Sequence, residues 1–272
     1  MLIGPLLISP ANPPDTYRLV WSDEFNVSGR VKSSEWDYEE GFVRNHEAQL
    51  YQKDNVTCFG GRLIITGRRE HVKNPRFTSE KDRDWQRSRQ FAEYTSGCIV
   101  GKRSFLYGRF VMRARFDTDD GLWPAFWTLG SAHEWPACGE IDIMEYYRKG
   151  LLANFAWGSN KRWSATWNSK TTPIADVAKM CGFATEQDWS KQFHTWRMDW
   201  DEHRIRIYMD DYLLNSMDLS KTLNADGTNP FHEPQHILLN LAIGGDSGGN
   251  PALTQFPKPF EVDWVRVYQQ AP

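Results

Sequence analysis

Apolar residues in this chain recur at alternate positions, in short runs separated by clusters of Gly, Asp, Asn and Pro, and helical spacing is scarce. A period of two puts successive side chains on opposite faces of an extended strand. The pattern therefore confines the chain to a fold built from sheets. Candidate strands are residues 17–21, 62–68, 96–102, 107–116, 140–147, 151–157, 194–199, 204–209, 236–243 and 260–268, with Asp201-Glu202-His203 as a hairpin turn. Residues 176–181 and 186–192 read as short helices in a long connection, and the charge-dense stretch 74–89 as an exposed loop. Many short strands at this spacing favour an antiparallel sandwich or jelly roll. Residues 16–270 are expected to form one domain, since 272 residues can stay single in a β-sandwich. Residues 1–15, with an apolar run at Leu2–Ile8 and no basic start, read as the remnant of a processed leader or an added segment.

Composition excludes several classes. No run approaches the length of a membrane span. A net charge of −3 argues against a nucleic-acid partner, which calls for a basic face. Cys58, Cys98, Cys138 and Cys181 are widely spaced, so a zinc site is not indicated. They read as free buried thiols, with a disulfide left open for an oxidising compartment. Thirteen Trp is a large number. A core accounts for part of them, and the rest suggest platforms on which sugar rings stack.

The segment Gly139-Glu140-Ile141-Asp142-Ile143-Met144-Glu145-Tyr146 carries the chemistry. Alternation puts Glu140 and Asp142 on one face and Ile141 and Ile143 on the other. Met144 then stands where a third acidic residue would be, and Glu145 follows. A β-bulge absorbing one residue returns Glu145 to the acidic face. The effective offset from Glu140 is then four residues, about 13 Å between α-carbons. Side chains leaning together bring the carboxyl groups to about 5 Å, the separation of a retaining glycosidase. One Glu must be an ionised nucleophile and the other a protonated acid, and Asp142 between them hydrogen-bonds one and helps separate their pKa values. Trp123, Trp127, Trp135, Tyr146 and Tyr147 crowd the segment, as an aromatic sugar cleft requires.

These residues resemble glycoside hydrolase family 16, in its laminarinase-like branch of endo-β-1,3(4)-glucanases. The resemblance runs from Leu19-Val20-Trp21-Ser22-Asp23-Glu24-Phe25-Asn26 through Gly108-Arg109-Phe110, Gly121-Leu122-Trp123-Pro124-Ala125-Phe126-Trp127 and the E-x-D-x-x-E of Glu140, Asp142 and Glu145. It continues at Leu239-Asn240-Leu241-Ala242-Ile243-Gly244-Gly245 and ends at Val262-Asp263-Trp264-Val265-Arg266-Val267-Tyr268. It implies an all-β, concanavalin-like jelly-roll sandwich of two antiparallel sheets with a concave cleft. It implies Glu140 as nucleophile, Glu145 as acid/base and Asp142 as the assisting carboxylate, with no cofactor for catalysis. It implies a structural calcium ion, to which Glu24 and Asp263 would contribute. Trp123 and Trp135 fall where the family lines subsites before the cleavage point, though a core position is open to either. Trp127 is split between core and cleft. Asn45, in Arg44-Asn45-His46-Glu47, resembles a ligand in the family's N-x-E loop, with Glu47 bracing that loop. Asn154 and Trp157 lie on the strand after the catalytic one, Trp157 where many relatives have His. Arg162-Trp163 and Trp167 suggest a loop rimming the cleft. The implied partner is a β-glucan, laminarin or mixed-linkage. A galactan hydrolase of agarase, porphyranase or carrageenase type is the alternative, its basic cleft supplied by Arg83, Arg87 and Arg89. A lectin-like module without turnover would require the carboxylates to be lost. The expected protein is monomeric and secreted or held at the cell surface.

Overall fold

The structure, a computed structural model, describes residues 16–271, so the leader assignment of 1–15 lies outside the described residues. In chain order the strands are β1 (Tyr17–Asp23), β2 (Trp36–Tyr38), β3 (Gln49–Tyr51), β4 (Val56–Cys58), β5 (Leu63–Lys73), β6 (Phe91–Ser96), β7 (Cys98–Phe105), β8 (Gly108–Phe116) and β9 (Leu122–Gly130). They continue as β10 (Glu140–Tyr147), β11 (Gly150–Gly158), β12 (Ala165–Pro173), β13 (His194–Trp200), β14 (Arg204–Met209), β15 (Tyr212–Asp218), β16 (Gln235–Ile243) and β17 (Lys258–Gln270). The expected helices are present at Ile174–Met180 and Glu186–Ser190.

The strands form two layers. A seven-stranded sheet runs β12-β11-β10-β9-β16-β7-β2, and a ten-stranded sheet is built along β15-β14-β13-β8-β17-β5-β6-β3. Among these strands pairing is antiparallel except between β3 and β6, which are parallel. Aromatic side chains fill the space between the layers: Trp36, Trp189, Trp196, Trp200, Phe110 and Phe155 are among the fully buried ones. Strand β13 alternates buried and half-buried residues, as a sheet with one wet face should. Strands β10 and β11 are buried at almost every position. Their inner face meets the core and their outer face is covered by cleft side chains.

Residues 96–102, expected as one strand, are divided between the sheets. The chain leaves β6 and enters β7 at Gly97, where a Cβ would stand 2.3 Å from Val56 Cγ2. Strand β9 lies outside the expected set, and it carries a proline, Pro124, unusual in a central strand. Pro124 pairs with Leu241 of β16 but lies just past Ala125, the last residue of β9 paired to β10, so its missing N–H interrupts no bond on that side. The four cysteines are free, and Cys58, Cys98 and Cys138 are buried.

The bulge in β10 is present. On β11 Asp142 pairs with Asn154 and Glu145 with Leu152, while on β9 Asp142 pairs with Trp127 and Met144 with Phe126. The extra residue by register is thus Ile143 rather than Met144, and both side chains are fully buried in the core. Deleting Met144 should abolish hydrolysis by swinging Glu145 to the core face. Met144→Leu should cost under about 1.5 kcal/mol of stability and keep activity. Assays of both variants beside their denaturation curves check this, and a hydrolysing deletion variant would refute it.

Candidate active site

The bulge brings Glu140, Asp142 and Glu145 into the floor of a cleft of about 790 Å³. Each glutamate accepts from a tryptophan. Trp135 Nε1 donates to Glu140 Oε2 at 2.7 Å, and Trp123 Nε1 donates to Glu145 Oε1 at 2.8 Å. Asn154, opposite Asp142 on β11, donates to Glu145 Oε2 at 3.0 Å and to Asp142 Oδ2 at 3.2 Å. Trp123 is further fixed edge-on against Tyr147, with ring centroids 5.0 Å apart.

Burial dominates the electrostatics. Glu140 is raised from 4.5 to about 7, first by desolvation and then by the Glu145 charge, with the Trp135 hydrogen bond and the Arg44 charge opposing. Asp142 is pushed well above its ordinary range by desolvation and by both neighbouring glutamates. Glu145 is raised by desolvation, against hydrogen bonds from Trp123, Asp142 and Asn154. The three cannot all ionise together at neutral pH, and they titrate as a unit.

The remaining expected residues divide. Trp127 lines the cleft. Its Nε1 donates to Asn240 Oδ1 at 2.8 Å, and the Arg44 guanidinium lies 5.2 Å from the ring centroid, so the ring is a covered floor rather than an open platform. Asn45 lines the cleft from a left-handed backbone, φ 52°, with Nδ2 3.4 Å from Glu47 Oε1. Its carbonyl accepts from the Asp246 N–H, and a Cβ on Gly245 would come within 2.6 Å of that oxygen, so glycine lets the two loops close. Glu47 is buried and braced by Gln49 Nε2 at 2.6 Å. Trp167 borders the cleft from edge strand β12, and Trp163 is exposed but is not among the lining residues.

Trp157 is not a substrate contact. Asn154 faces the cleft, so alternation returns Phe155 and Trp157 to the core, where Trp157 sits edge-on to Phe231 at 6.5 Å. The two residues named for a calcium ion are both engaged with arginines. Glu24 accepts two bonds from Arg266, at 2.9 and 2.8 Å, and Asp263 is paired with Arg113. Each carboxylate thus already has a cationic partner. Among the described residues no cluster of three or more His, Cys, Asp or Glu could hold a metal ion. Sequence reasoning passed over Arg44, Glu39 and His236, which line the cleft, whereas Tyr147 lines it as expected. Arg44 was visible beside Asn45 but carried no pattern of its own.

A carboxyl group that holds its proton in the folded state and releases it when unfolded loses stability as pH rises between the two pKa values. For Glu140 that window runs from 4.5 to about 7. Glu140→Gln should therefore raise the melting temperature at pH 8 and change it little at pH 4. Calorimetry at the two pH values checks this, and an equal effect at both would contradict the burial argument.

The family model for Glycosyl hydrolases family 16 matches residues 68–266. A β-glucanase from Rhodothermus marinus is 34% identical, over 93% of this chain and 85% of the relative. The laminarinase catalytic domain from Thermotoga maritima superposes with a TM-score of 0.76 at 27% identity, covering 95% of this chain and 100% of that one. A structure from work on endo-acting O-glycanases with which human gut bacteria initiate mucin breakdown gives 0.84 at 30% identity, covering 96% and 94%. With a matched family model over most of its length and the signature carboxylates assembled on one strand face, the chain belongs to glycosyl hydrolases family 16.

Proposed function

We propose that this protein is an endo-acting, retaining β-glucanase that cleaves internal β-1,3 or β-1,4 linkages of laminarin-like or mixed-linkage glucan. The observation that carries this reading is the placement of Glu140, Asp142 and Glu145 on one face of a bulged strand, each glutamate held by an indole N–H. Double displacement needs two carboxyl groups on one face about 5 Å apart, and the bulge puts both glutamates on the same face of β10. Residues from Val100 on β7 to Trp167 on β12 line the same cleft, so a chain can cross the sheet and be cut internally.

In this mechanism ionised Glu140 attacks the anomeric carbon and forms a glycosyl-enzyme. Its Oε2 is held by Trp135, leaving Oε1 to act. The charges of both glutamates and burial hold a proton on Asp142, which hydrogen-bonds Glu145 and can hand it on. Glu145 passes it to the leaving oxygen, then takes a proton from the water that breaks the ester. Trp135 and Trp123 supply aromatic edges as well as donors, and Asn45 and Asn154 supply polar contacts.

A neutral polysaccharide suits the charge of the cleft. Glu39, Glu47, Glu140, Asp142 and Glu145 line it against Arg44. Arg83, Arg87 and Arg89, expected to furnish a basic cleft for sulfated galactans, are not among its lining residues. Arg87 is paired with Asp82 and Asp84, and Arg89 donates to the Glu47 carbonyl at 2.9 Å. Export is part of the proposal, since polymeric glucan is met outside the cell. No helix among the described residues is long and apolar enough to cross a membrane.

Glu140→Gln should lower kcat by several orders of magnitude while oligosaccharide binding persists, because an amide cannot form the glycosyl-enzyme. Glu145→Ala should be partly rescued by azide on a substrate with a good leaving group, giving a β-glycosyl azide. Rescue confined to Glu140→Ala, or an α-azide, would reverse the roles. Product analysis on laminarin, mixed-linkage glucan, agarose, porphyran and mucin O-glycans tests the substrate class. Cleavage of a galactan or mucin glycan in preference to both glucans would overturn it.

A further inference from the structure

The cleft wall beside the catalytic carboxylates is built differently from the rest. Asp142 is paired in register with Trp127 of the neighbouring strand, so Trp127 marks the ground next to the reaction centre. Around it the surface is apolar: Ala125, Trp127 and Leu238 pack together with Val100 and Leu129. One ion pair stands against that surface. Arg44 lies over the Trp127 ring, 5.2 Å from its centroid, and is ion-paired with Glu39. Both line the cleft, with 25% and 22% of their side-chain surfaces exposed, while Arg44 Nη1 and Glu39 Oε2 are buried and without a hydrogen-bond partner.

The guanidinium occupies the space over Trp127 that a stacked sugar would need, so recognition there is polar rather than aromatic. The indole N–H is engaged by Asn240, so Trp127 offers no donor of its own.

We propose that Arg44 and Glu39 form a hydroxyl-reading element in the subsite next to the catalytic carboxylates, specific for a neutral pyranose ring. This rests on the polysaccharide-hydrolase reading above. A guanidinium donates and a carboxylate accepts, and adjacent ring hydroxyls offer both functions. The pair sums to no net charge, and Glu47 and Glu140 line the same cleft, so a sulfate or uronate at this place meets repulsion. In an apolar surround a few fixed polar groups set the orientation of a ligand, and their bonds are strengthened by the low local dielectric. The aromatic face beneath keeps the planar guanidinium in one attitude.

The test pairs side-chain changes with hydroxyl deletions in the substrate. Affinities are measured by calorimetry in the Glu140→Gln background, using oligosaccharides of the polymer the parent cleaves and their monodeoxy analogues. Without Arg44→Met or Glu39→Gln, at least one deoxy position should weaken binding by about 10- to 150-fold, the scale of a hydrogen bond to a charged group. In the Arg44→Met protein, which keeps an unbranched cover over Trp127, the same deletion should matter less than about threefold. Glu39→Gln keeps the shape, is the milder substitution, and should also reduce the discrimination. Equal discrimination at every hydroxyl position with and without the substitutions would overturn the proposal, because a merely structural role weakens parent and deoxy ligands alike. Tight binding of an oligosaccharide sulfated at that ring would overturn its neutral-sugar part. If the parent cuts a neutral polymer other than β-glucan, the glucan reading falls, and the cycle run on that polymer's oligosaccharides still decides this one.

Discussion

One extra residue in β10 governs the site. Without it, strict alternation would place Glu145 beside Ile141 and Ile143, in a core that has no partner for a charge. With it, Ile143 and Met144 both enter the core, and three carboxylates share the opposite face. The bulge is held from both sides, by the ladder to β9 and the ladder to β11, and both ladders shift register at the same place. The apolar pair below therefore anchors the acidic group above. The catalytic geometry is a property of the sheet and not of a mobile loop.

Crowding three carboxyl groups in a buried cleft is costly, and the surrounding residues show how the fold tolerates it. Indole N–H groups from β9 and from the segment before β10 reach one glutamate each, and Asn154 spans Asp142 and Glu145. These donors favour the ionised forms, whereas burial and mutual repulsion favour the protonated ones. A site that must hold one carboxylate and one carboxylic acid side by side needs this opposition. The donors are fixed in turn: Trp123 by Tyr147, and Asn154 by its place opposite Asp142.

Much of this was legible in the sequence because it depends on short-range parity. Glu140, Asp142 and Glu145 announced the bulge by their spacing alone, and β10 and β14 have the bounds their patterns suggest. Where parity was not followed through, the reading failed. Asn154 in the cleft already requires Trp157 to point inward, and the resemblance to a family position drew it outward instead. Strand β9 was missed, and its Pro124 argues against a central strand until the ladder register shows that it falls beyond the β10 pairing. Edge strands β12 and β15 are polar or exposed over much of their length and carry little periodic signal. Arg44 is invisible to any local rule, because its meaning comes from contact with Trp127, far along the chain, and Glu39 takes its meaning from Arg44. The same holds for Glu24 and Asp263, whose arginine partners lie on β17 and β8.

Double displacement requires that the bulge set a nucleophile and an acid on one strand face. The most direct measurement is proton NMR of the first products released from a β-glucan oligosaccharide, before the reducing end mutarotates. Two inversions at the anomeric carbon leave the β-anomer as the first signal, with the α-anomer growing only at the rate of mutarotation. An α-anomer appearing first would mean a single displacement by water, and Glu140 could not then be the nucleophile.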